Sequence, residues 1–239
     1  MGRAFEFRKG RKMKRWDQMS KAFTKYGKEI SMAVKAGGPD PTLNARLRVV
    51  IQNAKGVNMP KDRIESAIKR ASDKSEKDFE EIVYEGYGPK GVGIVIEAAT
   101  DNPNRTVANI RSYFSRGGGE LGKTGSLEFM FERLGLFTVA AEGLDTDELE
   151  LDLIDFGLQD IEKDEAEIII TTSFADFGKM QKALEERNIN IINAELQRIP
   201  TSYADVTAED RAAIEKMLEK IEEDEDIQNV FHNMKPEEE

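Results

Sequence analysis

Residues 167–199, EIIITTSFADFGKMQKALEERNINIINAELQRI, decide the architecture of this 239-residue chain. The Ile-rich run at 167–173 predicts a strand, and Phe177, Met180 and Leu184 then recur at helical spacing. Residues 190–199 predict another strand, with Ile192, Ala194 and Leu196 on one side. Upstream, a strand at 136–141 leads to a helix carrying Leu149, Leu153 and Phe156 that ends at Gly157, and Ile161 to Lys163 supplies a short strand. The order βα–ββαβ predicts a split βαβ, ferredoxin-like layer of helices on one antiparallel sheet.

The preceding segment has a different order. Residues 82–87 and 91–99 predict strands joined by the Gly/Pro turn at 86–91. Asn102 and Pro103 start a helix with Val107, Ile110 and Phe114 on its buried side, and glycines 117–119 end it. Leu127, Phe129 and Phe131 then alternate with polar residues as a half-buried strand. After Pro200, a capping box of Thr207 and Asp210 starts a helix with Ile214, Met217, Leu218 and Ile221, and a short apolar segment follows at Ile227, Val230 and Phe231. A sheet with one helix has a bare face, so this C-terminal helix and strand are expected to return and complete it.

The first 74 residues carry 19 Lys/Arg against 7 Asp/Glu, a net of +12, whereas the remainder carries 16 against 39, a net of −23. Such asymmetry points to nucleic-acid or membrane contact at the basic end. Arg8, Lys9, Arg11, Lys12, Lys14 and Arg15 form a basic arm too poor in apolar residues to build a core. From Trp16, an apolar stripe of Trp16, Met19, Phe23, Tyr26, Ile30 and Ala33 predicts a helix. Lys14, Lys21, Lys28 and Lys35, with Lys25 between them, lie about 160° around it as a lysine ladder. A second helix is expected with Asp40 as its cap and Leu43, Leu47, Val50, Ile51 and Ala54 on its face, and a third from near Pro60 with Ile64, Ala67, Ile68 and Ala71. The fold expected is an α+β multidomain chain. An N-terminal three-helix domain (1–78) precedes two ferredoxin-like α/β domains, the last (134–204) inserted into the middle one (79–133 plus 205–239).

Other chemistries lack residues. There is no cysteine, and the one histidine, His232, lies in the acidic C-terminal segment. No Ser/His or Cys/His pair is in evidence, the acidic run 222–226 reads as solvated charge, and neither a metal site nor a cofactor nor catalysis is expected. GGGELGKT (117–124) satisfies the Walker A spacing, but a helix precedes it and a strand follows, the reverse of a phosphate loop. No run approaches the roughly 20 apolar residues of a membrane span. The basic start has no apolar segment behind it, so a cytoplasmic, monomeric protein without a membrane partner is expected. By contrast, the arm, the ladder and Arg46, Arg48, Lys55, Lys61, Arg63, Lys69 and Arg70 suit a polyanion. Asp62 and Glu65 near the start of the third helix argue against that helix reading bases in a major groove.

NMPKDRIESAIK (58–69), YEGYGP (84–89), TDNPNRT (100–106), GGGELGKTGSLEFMF (117–131) and DIQNVFHN (226–233) together resemble the YebC/PmpR family. The resemblance implies three domains and a DNA-binding transcriptional regulator. Relatives acting in translation imply the alternative, a ribosome-associated factor binding ribosomal RNA. It also implies a second contact surface around the glycine loops, with Tyr84, Tyr87, Asn102, Asn104, Arg105 and Arg116. The start MGRAFEFRKGRKMKRW departs from the family's His-Ser-Lys-Trp opening and its later Lys-His-Arg-Lys. Contacts made by those histidines are therefore not carried over.

Overall fold

The computed structural model describes residues 19–73 and 78–236. The basic arm, Lys14 and Trp16 lie outside the described residues. The chain divides into two compact units, Met1–Lys74 with Arg133–Arg198, and Ser75–Glu132 with Ile199–Glu239.

In the first unit, α1 (Met19–Gly37) packs against both α2 (Ala45–Gly56) and α3 (Lys61–Ala71). The expected stripe is the buried one: Tyr26, Ile30 and Ala33 meet Leu47, Val50, Ala54, Ile64, Ala67 and Ala71, with Phe23 at the margin. Asn44, not Asp40, caps α2. Its Oδ1 accepts from the Leu47 N–H at 3.0 Å, while its Nδ2 donates to the Ala33 and Gly38 carbonyls at the end of α1. One buried amide thus satisfies orphan groups of two helices. Asp40 instead closes a local turn on the Thr42 N–H and hydroxyl, which hold its carboxyl below the usual range, and Leu43 is left 84% exposed.

The same unit contains a sheet ordered β5-β6-β4-β7, built from β4 (Phe131–Ala140), β5 (Leu158–Asp164), β6 (Glu167–Ser173) and β7 (Ile191–Pro200). Strand β6 pairs antiparallel with both β4 and β5, so the connection through α5 (Thr146–Leu153) skips one strand. Helices α5 and α6 (Phe177–Glu186) cover one face, where Leu149, Leu153, Met180 and Leu184 meet Phe137, Val139, Ile168 and Ile170. Along β7, Ile191 and Ala194 are buried against this core and 197–200 are buried further on, whereas Leu196, expected on the inner side, is 38% exposed.

The outer edge of β7 is covered by α2. Asn53 Nδ2 donates to the Ala194 carbonyl at 2.7 Å and its Oδ1 accepts from the Ala194 N–H at 2.9 Å, as a neighbouring strand would. Gln52 donates to the Ile191 carbonyl, and Arg48 grips Glu185 with two parallel bonds of 3.1 and 3.0 Å. Replacing Asn53 with Ala orphans a buried N–H and C=O and is expected to cost about 2–3 kcal/mol, measured by urea unfolding. Burial pushes the Glu185 carboxyl up, but bonds from Arg48 and Gln181 outweigh it, leaving the group below its ordinary 4.5. Its contribution is therefore complete above that value and lost as the pH falls through the lower folded value. Arg48→Ala should lower the melting temperature at pH 7, and the difference from the parent should narrow as the pH falls through the lowered folded value, leaving the part that Arg48 contributes through its bonds to the Pro41 and Thr42 carbonyls.

In the second unit the sheet runs β3-β1-β2-β8, from β1 (Glu80–Tyr87), β2 (Gly93–Thr100), β3 (Glu120–Leu121) and β8 (Ile227–His232). Helices α4 (Pro103–Arg116) and α7 (Ala208–Glu222) share one face, packing Ile110, Phe114, Ile214 and Met217 on Ile94, Ile96 and Val230. The opposite face holds the smaller cluster Val95, Leu127, Phe131 and Phe231. This sheet does not have the expected ferredoxin-like order. Residues 88–92 are too few for a crossover, so β1 and β2 pair directly as an antiparallel hairpin. The alternating strand expected at 126–132 is also absent. Leu127 is buried, Glu128–Met130 form one turn of 3-10 helix with Phe129 75% exposed, and a single strand runs from Phe131 to Ala140.

Candidate nucleic-acid interface

Helix α1 sets out the lysines as its periodicity requires. Lys21 and Lys35 are exposed, and Lys35 sits in the last turn, where the helix dipole favours a cation. Lys25 and Lys28 are half-buried, and with Lys35 they take part in interactions within the chain. Arg8, Lys9, Arg11, Lys12, Lys14 and Arg15 lie outside the described residues. On α2 and α3, Lys55, Arg63, Lys69 and Arg70 are exposed, while Lys61 pairs with Glu65 at 3.5 Å.

The six residues proposed around the glycine loops occupy different environments. Tyr84 is buried in the core, where burial first and then the charges of Asp226 and Glu80 push its phenol up. Asn102 caps α4 by accepting from the Arg105 N–H. Arg105 is held by Asp226 Oδ2 at 2.7 Å and Asp101 at 3.0 Å, and these two carboxylates, Asp226 foremost, push its guanidinium up. Tyr87, Asn104 and Arg116 are exposed, with Arg116 at the far end of α4, about 16 Å along the axis from Arg105.

Two carboxylates escaped the reading of the sequence. Glu85, within YEGYGP, is 3% exposed and accepts from the Gly125 N–H at 2.9 Å and the Leu127 N–H at 2.7 Å. Its own carbonyl accepts from the Gly122 N–H. Two of the motifs are thus one structure, with a buried carboxylate fixing the loop. The N–H groups of Gly117, Gly118, Gly119, Gly122 and Gly125 are all bonded inside the chain, so the Walker-like spacing makes no phosphate cradle. Gly86 completes the junction, because a Cβ there would lie 2.5 Å from the Glu120 carbonyl.

Asp226 is the second. Read as solvated charge, it is 3% exposed and gathers Arg105 with the hydroxyls of Thr100 and Thr106, at 3.1 and 2.8 Å. Asp224 likewise accepts from Asn109 and Tyr113. The available signal was position: Asp226 directly precedes the apolar run Ile227 to Phe231. Among the described residues no group of acidic, His or Cys side chains could hold a metal, and no helix is long and apolar enough to cross a membrane.

Comparison with known proteins agrees along the chain. Residues 3–74 match the TACO1/YebC protein N-terminal domain, and residues 79–234 match the TACO1/YebC second and third domain. A "Probable transcriptional regulatory protein" of Cytophaga hutchinsonii is 60% identical over 234 residues, 98% of each chain. One of the same name from Flavobacterium johnsoniae is 55% identical over 237 residues, covering 99% of this chain and 100% of its own. The crystal structure of a conserved hypothetical protein, Aq1575 from Aquifex aeolicus, superposes with a TM-score of 0.77 at 37% identity, covering 92% of both chains. None of these names is that of an enzyme. With both family models matched in order and relatives this similar over their whole length, the chain belongs to the TACO1/YebC family.

Proposed function

We propose that this protein is a non-enzymatic, nucleic-acid-binding regulator of gene expression acting in the cytoplasm. The observation that carries the reading is the +12 net charge of the first 74 residues in a chain of net −11. The helical segment folds part of that charge onto exposed helix faces. The acidic remainder repels a polyanion and orients the basic end toward it. The names of the relatives favour DNA and transcription.

A second reading, a translation factor on ribosomal RNA, is favoured by the start of α3. Asp62 stands in its first turn and Glu65 pairs with Lys61, so two carboxylates stand where a recognition helix would meet base edges. Crosslinking in cells with sequencing, run beside ribosome sedimentation, separates the two. Promoter fragments without ribosomal RNA would remove the translation reading. Ribosomal RNA with cosedimentation would remove the promoter one, and recovery of neither would remove both.

A further inference from the structure

We infer that the helical region grips the phosphodiester backbone through a row on α3, Arg63–Ser66–Arg70. The inference rests on the nucleic-acid reading above and names the side chains that make the contact. Several cations of this region are already engaged within the chain: Arg48 by Glu185, Lys61 by Glu65, and Lys25, Lys28, Lys35 and Arg46 in further interactions. Arg63 and Arg70 are exposed and have no ion pair among the described residues. The outer side of α2 is turned to β7, which leaves the faces of α1 and α3 to receive a ligand.

The geometry of α3 makes a row of these residues. At 100° per residue, Arg63 and Arg70 fall within about 20° of each other and roughly 10 Å apart along the axis, with Ser66 between them. Ile64, Ala67 and Ala71 are buried on the adjoining side. Asp62 and Glu65 lie about 90° and 150° around from the two arginines, and although Asp62 comes within about 40° of Ser66, neither carboxylate stands between the two guanidinium forks. A guanidinium fork matches phosphate oxygens with two parallel bonds, and an exposed serine hydroxyl adds a donor between two such forks.

The test measures binding of the full chain to a DNA duplex and to an RNA hairpin from 50 to 200 mM salt. Losing two phosphate contacts should flatten the slope of log K against log salt by about 1.8, so the Arg63→Gln/Arg70→Gln variant should lose about twelvefold less affinity over that range than the parent. Arg63→Lys/Arg70→Lys should keep the parent slope and bind more weakly, because charge is retained and the fork is lost. The probe on which the slope changes identifies the nucleic acid. If the parent binds and the Gln variant, with its circular dichroism and melting temperature unchanged, keeps the parent's affinity and slope, the row is merely solvated and the inference falls while the functional reading stands. If the parent binds neither probe, both fall.

Discussion

Asp226→Ala is expected to destabilise the protein by about 3–5 kcal/mol, enough to unfold much of a marginally stable unit. One oxygen of this buried carboxylate is within 3.1 Å of three groups: the Arg105 guanidinium and the hydroxyls of Thr100 and Thr106. These come from the end of β2 and the first turn of α4, and Asp226 itself leads into β8. Removing it takes from both hydroxyls their shared carboxylate acceptor, leaving them to each other and to the Asn102 backbone, and leaves Arg105 only Asp101. Asp226→Asn keeps the shape and part of the bonding, so its loss should be smaller. Urea unfolding of both variants measures the effect. A loss below about 1 kcal/mol for the alanine variant would mean that the cluster does not hold the strand and helix together.

Reversing Lys21, Lys25 and Lys28 to glutamate is the largest change expected in binding. Lys25 and Lys28 already interact within the chain, so Lys21 is the lysine counted as a phosphate contact, and its loss flattens the salt slope by about 0.9, equivalent to about threefold less affinity lost between 50 and 200 mM than for the parent. The introduced carboxylates add repulsion, so binding should become undetectable at physiological salt. Lys21 is exposed, whereas Lys25 and Lys28 are half-buried, so Lys21→Glu alone serves as the control with the least change in packing. Circular dichroism and a thermal melt check that the helices persist. Binding with an unchanged slope would assign the ladder to solvent and leave α3 and the arm to carry the affinity.

Periodicity made the helices and the sheet of residues 131–200 legible. The stripe Tyr26, Ile30 and Ala33 and the order of elements from 131 to 200 depend on spacing alone, and spacing survives whatever packs against it. The errors arose where a distant residue overrode a local pattern. Alternation at 126–132 predicted a strand, but Glu85, some 40 residues earlier, captures the Gly125 and Leu127 N–H groups and turns the chain instead. Asp40 had a capping side chain ahead of a proline, yet Asn44 reaches carbonyls at the end of the previous helix as well as the Leu47 N–H, and that threefold bonding decides the cap. Arg105, expected on the second contact surface, is held by Asp226, 121 residues away, a partner that no local pattern shows.

The amino-acid sequence by itself determined most of the secondary elements, the concentration of positive charge at one end, the absence of thiol chemistry and the family motifs, because each is a property of composition or of near neighbours. Tertiary structure alone decided which charged groups remain available. Arg48, Arg105, Glu85 and Asp226 are indistinguishable in the sequence from the exposed charges around them, and only folding supplies the carboxylate, guanidinium or N–H that satisfies each one. A charge already paired cannot hold a ligand without first breaking that pair. The basic residues left without one among the described residues, Arg63 and Arg70 included, therefore mark out the proposed interface more narrowly than the +12 of the N-terminal region does.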